Sequence, residues 1–282
     1  MSADGTLYLI DPLTGEDREK PTSLGQEFLK SGVVDAKLFE STLVFRNGQN
    51  QFYWVNNVTQ HPPQVQSFDY VPSLANATIS DYLIIPKGTK GSTMIELLVP
   101  DPFEGLWQIT ENKKSQQYRD INGASFGKVQ YLALNAKREL LALYTEAETR
   151  GRIIVLKSQL NQEFNRFDTK LTDAKSLEWC GNDAPVLTYP ERILIVGPNE
   201  YESVDVRASI VGVKSVNELD GLRVVTTEKT YFLERVQPKM LSTFKVASIT
   251  ASAKLLKAQQ SVDMNQPKAD DIINEMGAKN LI

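Results

Sequence analysis

The five residues Gly123-Ala124-Ser125-Phe126-Gly127 fit the Gly-x-Ser-x-Gly elbow, in which a sharp strand-to-helix turn lifts a serine hydroxyl toward a histidine that takes its proton. The neighbouring residues point elsewhere. Lys128-Val129-Gln130-Tyr131-Leu132 alternates like a strand where the elbow needs a helix. The single histidine, His61, stands upstream, where that hydrolase order needs it downstream. The motif therefore reads as a turn leading into a strand. One His and one Cys, Cys180, give no zinc-type ligand set, and His61 before Pro62-Pro63 reads as an exposed loop residue. Lys87-Gly88-Thr89-Lys90-Gly91-Ser92-Thr93 lacks the Gly-x-x-x-x-Gly-Lys order that cradles phosphates, and reads as a polar hairpin tip. Glu16-Asp17 falls in a turn, and Asp270-Asp271 falls in the first turn of a helix, where carboxylates complement the dipole. Trp54, Trp107 and Trp179 recur in or near strands of three successive modules, which suits packing between modules better than ligand stacking. No catalytic residue, cofactor-binding residue or metal ligand is assigned, no cofactor is expected, and the sequence does not single out partner-binding residues.

The elements that would position any site follow from composition and period. The 282 residues are 41% hydrophobic and 23% charged, average for a soluble globular chain, with enough apolar material for a sizeable core. No apolar run approaches the roughly 20 residues that span a bilayer. A net charge of −4 gives no global field for a phosphate backbone, so nucleic acid is not an expected partner. Met1 to Ile10 lacks a secretion signal, and a lone Cys180 forms no internal disulfide, which together point to the cytosol. Asn57-Val58-Thr59 and Asn76-Ala77-Thr78 match a glycosylation triplet that arises readily by chance.

Upstream of Pro238, apolar residues recur with period two between Gly, Asn and Asp turns; downstream, from about Thr243, the spacing becomes helical. The clearest unit holds strands over Lys128–Leu134, Glu139–Thr145, Arg152–Lys157 and Phe164–Phe167. The next holds Ser176–Cys180, Pro185–Thr188, Arg192–Val196 and Ser203–Val206, followed by Ile210–Val213, Leu222–Thr226 and Thr230–Val236. Fainter units comprise Val33–Leu38, Leu43–Arg46 and Gln51–Val55, then Tyr82–Ile85, Met94–Val99 and Leu106–Ile109, with one early strand at Thr6–Ile10. Equivalent strands recur at roughly 30–48 residues, the repeat of four-stranded propeller blades. The expected fold is mainly β: a WD40-like β-propeller over 1–238, short at its N-terminus with about five blades, then the first helices of an α-solenoid over 239–282. Ala251, Leu255, Ala258 and Val262 would form one helical stripe, and a second helix would start at Pro267 and run through Ile272, Ile273 and Met276. Both ends are expected to be cuts in a longer protein.

Three segments carry a resemblance: Ser176-Leu177-Glu178-Trp179-Cys180-Gly181-Asn182-Asp183, Glu218 to Lys229, and Tyr231 to Pro238. With Phe244 to Ser248, Leu255 to Ala258, Pro267 to Asp270 and Leu140 to Thr145, their order is similar to that of the vacuolar protein sorting-associated protein 16 family in its fungal form. The match is specific from about residue 120 to 276. The resemblance implies a non-enzymatic core subunit of the HOPS and CORVET tethering complexes, which act in endosome-to-vacuole (lysosome) transport and membrane fusion. Its implied partners are other class C vacuolar sorting subunits and a Sec/Munc-type SNARE-chaperoning subunit, the latter bound through a solenoid largely absent from this chain. Its implied location is cytoplasmic and peripheral on late endosomes and vacuoles. Two alternatives remain open: a propeller scaffold of another coat or trafficking assembly, and a propeller hydrolase, which would need paired acids or a metal in the central channel.

Overall fold

The computed structural model describes residues 5–8, 22–23, 32–58, 63–89, 94–112, 114–147, 150–197, 201–205, 213–218, 221–234, 240, 243, 250–264 and 269–279. It divides into two compact units, Met1–Leu233 and Glu234–Ile282.

The first unit is a β-propeller of five described blades. Blade 1 comprises β3 (Val33–Phe39), β4 (Thr42–Asn47), β5 (Phe52–Val55) and β6 (Val65–Ser67). Blade 2 comprises β7 (Leu83–Ile85), β8 (Glu96–Pro100), β9 (Leu106–Thr110) and β10 (Ser115–Tyr118). Blade 3 comprises β13 (Val129–Leu134), β14 (Leu140–Ala147), β15 (Arg150–Lys157) and β16 (Glu163–Asp168). Blade 4 comprises β17 (Ser176–Cys180), β18 (Ala184–Thr188), β19 (Arg192–Val196) and β20 (Tyr201–Asp205). Blade 5 shows β21 (Lys214–Asn217), β22 (Gly221–Val225) and β23 (Thr230–Glu234). The described residues also include two two-stranded sheets, β1 (Thr6–Leu7) with β2 (Thr22–Ser23), and the hairpin of β11 (Asp120–Ile121) with β12 (Ala124–Ser125). The early strand expected over Thr6–Ile10 is thus described only at Thr6–Leu7.

Every blade is a meander whose strands pair in chain order, and the first strands of blades 2 to 5 adjoin one another around the axis. The period-two pattern has a specific cause in this arrangement. On β14, Leu141 and Leu143 enter the core shared with blade 2, whereas Ala142 and Tyr144 enter the core shared with blade 4. On β8, Leu97 and Val99 face blade 1 and Leu98 faces blade 3. The second strand of a blade is therefore buried on both faces, and adjacent residues stabilise two different blade interfaces at roughly 25 cal/mol per Å² of apolar surface removed from water.

Three sequence expectations change. β14 and β15 continue through much of the loop placed at Glu146–Gly151, pairing Glu146 with Gly151. The fourth strands β6 and β10 were not foreseen, because short outer strands such as Ser115-Gln116-Gln117-Tyr118 carry little apolar signal. The strand expected at Ile210–Val213 lies mostly outside the described residues, and the described strand that precedes β22 is the polar β21.

In the second unit, helix α1 (Ala251–Asp263) is capped by Thr250, whose Oγ1 accepts a bond from Ala253 N at 3.3 Å. Helix α2 (Ala269–Lys279) carries Asp270 and Asp271 in its first turn and packs on α1, with Lys254 Nζ 2.9 Å from Glu275 Oε2. Of the stripe expected on α1, Ala258 is buried, as is the neighbouring Ser261, whereas Leu255 and Val262 are more than half exposed. Small residues suit the close approach of a paired helix, and the larger apolar side chains remain outward. Pro238, Pro267 and most of 235–249 lie outside the described residues.

Candidate functional site

The serine motif forms a hairpin. Ile121 pairs with Ala124 across Asn122 and Gly123, both at positive φ, which is the two-residue Asn-Gly turn that suits strand twist. Ser125 is exposed on β12, and its Oγ accepts a bond from Gly127 N at 3.1 Å. Its carbonyl accepts Arg166 Nη1 at 2.8 Å, and the same guanidinium is held by Glu163, so blade 3 grips this hairpin. His61 and Glu16-Asp17 lie outside the described residues, as do residues 90–93 of the Lys87 to Thr93 segment. Lys87 Nζ stands 3.4 Å from Glu111 Oε1 and 5.8 Å from the Trp54 ring. Trp54 is buried in the core between blades 1 and 2, and Trp107 packs against that core. Trp179 is 1% exposed between blades 3 and 4, where its Nε1 donates to Ala133 O at 2.9 Å. Trp54 and Trp179 thus serve packing. Cys180 is buried, with Sγ 3.3 Å from Leu233 O. Among the described residues, no three His, Cys, Asp or Glu side chains gather as a metal would require.

The polar groups that do converge lie on or just before the innermost strands. Lys37 of β3 forms an ion pair with Asp81 and donates to Tyr82 O at 2.6 Å, with its ammonium 4.7 Å from the Tyr82 ring centre. The other Asp81 oxygen accepts Leu132 N of β13 at 3.2 Å, and Ser80 Oγ donates to Gln130 O at 2.8 Å. One carboxylate therefore joins blades 1 and 3 from the strand entering blade 2. Glu178 of β17 faces the same group. Burial pushes its carboxyl up to about 7, the Asp81 charge adds to the rise, and Lys37 opposes it. Glu178 feels the Asp81 charge, and both oxygens of Asp81 are occupied by inter-blade bonds. The set acts as a structural hub.

The turns joining first to second strands form one rim. Glu40 and Arg138 occupy such turns in blades 1 and 3, both at positive φ, and pair at 2.9 Å, with Arg138 5.1 Å from the Phe39 ring. Asn135 Nδ2 donates to Asn182 O at 2.9 Å, and Asn182 Oδ1 accepts Lys137 N at 3.0 Å, tying blade 3 to blade 4. A cavity of about 170 Å³, bordered by Phe39, Thr42, Asn56, Pro86 and Lys87, opens between blades 1 and 2 on this rim. The arrangement among the described residues is a propeller body with polar turns at its edge.

Comparison with known proteins gives the family. The family described as "Vps16, N-terminal region" matches residues 4–280. The chain belongs to this family. It is 29% identical over 139 residues to vacuolar protein sorting-associated protein 16 of Saccharomyces cerevisiae, covering 49% of this chain and 17% of that protein. It is 26% identical over 286 residues to VACUOLELESS1 of Arabidopsis thaliana, covering 95% of this chain and 32% of that protein. A Schizosaccharomyces pombe relative, a probable homologue of the same sorting protein, is 27% identical over 196 residues, 64% of this chain and 22% of its own length. The chain thus spans a third or less of these relatives. Among solved structures it resembles the Dos1 propeller, at TM-score 0.53 and 10% identity over 82% of this chain and 65% of that one. It also resembles a chain in the complex of KlAtg21 with the coiled-coil of AgAtg16, at 0.54 and 8% over 83% and 74%. At such identities these likenesses concern the propeller fold alone. Membership of the Vps16 N-terminal region family supports a role in vacuolar protein sorting, and no described helix is long and apolar enough to cross a membrane.

The sequence did not point to Lys37, Asp81, Arg138 or Asn182. The one signal was Glu178, a charge between Leu177 and Trp179 in a strand whose neighbours are buried.

Proposed function

We propose that this chain is the propeller region of a non-enzymatic subunit of the HOPS and CORVET tethering complexes, acting in endosome-to-vacuole transport and vacuole fusion. The family match over residues 4–280 carries the reading. The geometry supports it: a propeller provides rims on a rigid body, and its inner carboxylates are engaged in holding blades together. Its partners are the other class C vacuolar sorting subunits, with a Sec/Munc-type subunit bound by solenoid beyond the helix pair. The protein works in the cytoplasm, peripherally on late endosome and vacuole membranes, and uses no cofactor.

Affinity isolation of the intact gene product from its own cells tests this. Recovery of class C sorting subunits is the expected outcome. Recovery of a lattice-forming coat in their place would assign the propeller to another trafficking scaffold.

A further inference from the structure

The β8–β9 turn of blade 2, Asp101 to Gly105, lies at the opposite end of its strands from the rim described above. Asp101 is 3% exposed and accepts four bonds, from Phe103 N at 2.9 Å, Glu104 N at 3.2 Å, Trp107 Nε1 at 2.8 Å and Gln117 Nε2 at 2.9 Å. Gly105 closes the turn at φ +92°, and a Cβ there would stand 2.1 Å from Tyr118 O, so no other residue fits without moving backbone. This stiff frame holds Phe103 80% exposed. Beside it lies a groove of about 440 Å³ bordered by Phe103, Glu104, Trp107, Gln117 and Arg119.

We propose that this groove docks a basic side chain, Lys or Arg, carried with an apolar neighbour on an extended segment of a partner protein. The charge count favours a cation. All four donors to Asp101 are neutral, and no cation is among them. Glu104 adds a second, exposed carboxylate, and Arg119 supplies one positive charge while its Nε donates to Gln117 Oε1 at 3.3 Å. The aromatic faces of Phe103 and Trp107 attract a guanidinium or ammonium, and Phe103 offers apolar surface to the neighbouring residue. Because the turn is already fixed, little ordering is lost on docking. The same excess of carboxylates disfavours an anionic lipid surface.

The inference goes beyond the tethering assignment and holds whichever complex the propeller joins, so co-isolation and the following assay fail independently. A random peptide library displayed on phage is panned on the chain and, separately, on Phe103→Ala and Glu104→Lys variants. Both positions are exposed, and unchanged melting temperatures check that the variants fold. The expected result is enrichment of peptides with Lys or Arg beside a large apolar residue, with binding about tenfold weaker or more on each variant. Enriched sequences without a basic residue, binding unchanged on both variants, or no enrichment would overturn the proposal. So would Phe103-dependent sedimentation with phosphatidylserine-containing vesicles, which would mark a membrane contact.

Discussion

Above pH 7 the Glu178 carboxylate must be held charged in a half-buried position beside Asp81. The folded chain binds its proton up to about pH 7, whereas the unfolded chain releases it near 4.5. The associated stability is therefore complete below about 4.5 and is lost as pH rises through 7, by up to about 3 kcal/mol. Glu178→Gln is expected to match the parent in urea unfolding at pH 5 and to exceed it at pH 8. A parent that gains stability relative to the variant over that interval would contradict the assignment. Asp81→Asn has the opposite effect, because it keeps the shape and removes the charge that Lys37 and the Leu132 amide meet; a loss of about 1.5–3 kcal/mol by denaturant titration is expected. Trp179→Phe should lower stability by about 1–2 kcal/mol, from one buried hydrogen bond and a smaller ring. At this scale the sequence was informative about packing and silent about the hub. Tryptophans in strands announce a core, but Lys37 and Asp81 stand 44 residues apart and meet only because the chain curls around an axis.

The strands were legible where two cores compete for one element. β14, Leu-Leu-Ala-Leu-Tyr at its start, is apolar throughout because both faces are covered, and it was placed within a residue of its observed start. β6 and β10 have one neighbour in their sheet and carry Gln and Ser, so nothing in their composition marks them as strands. In the helix pair the period was legible and the burial was not: of the expected stripe Ala258 is buried, while Leu255 and Val262 remain more than half exposed. Gly151 tests blade geometry directly. An added Cβ would lie 2.4 Å from Tyr144 Oη and 2.8 Å from Leu171 O. Gly151→Ala is expected to cost about 1–3 kcal/mol through these clashes, whereas Gly123→Ala has open space around its Cβ and should cost about 1 kcal/mol from backbone strain alone, because Gly123 sits at φ +79°.

At the scale of the molecule, some apolar surface remains uncovered. On blade 5, Val216, Val225 and Phe232 are 54%, 39% and 38% exposed, and in the helix pair Leu255, Val262, Met264 and Ile273 are each at least half exposed. The chain on its own is expected to self-associate with rising concentration, seen as growing mass by light scattering. Val216→Thr combined with Phe232→Ser should reduce that growth without lowering the melting temperature; unchanged association would place the sticky surface elsewhere. The blades themselves also bear on how this protein is made. Each consists of consecutive strands, none borrowed from a distant part of the chain among the described residues. A sheet can therefore finish while the next is still inside the ribosome, and only the newest flank waits for its neighbour during synthesis.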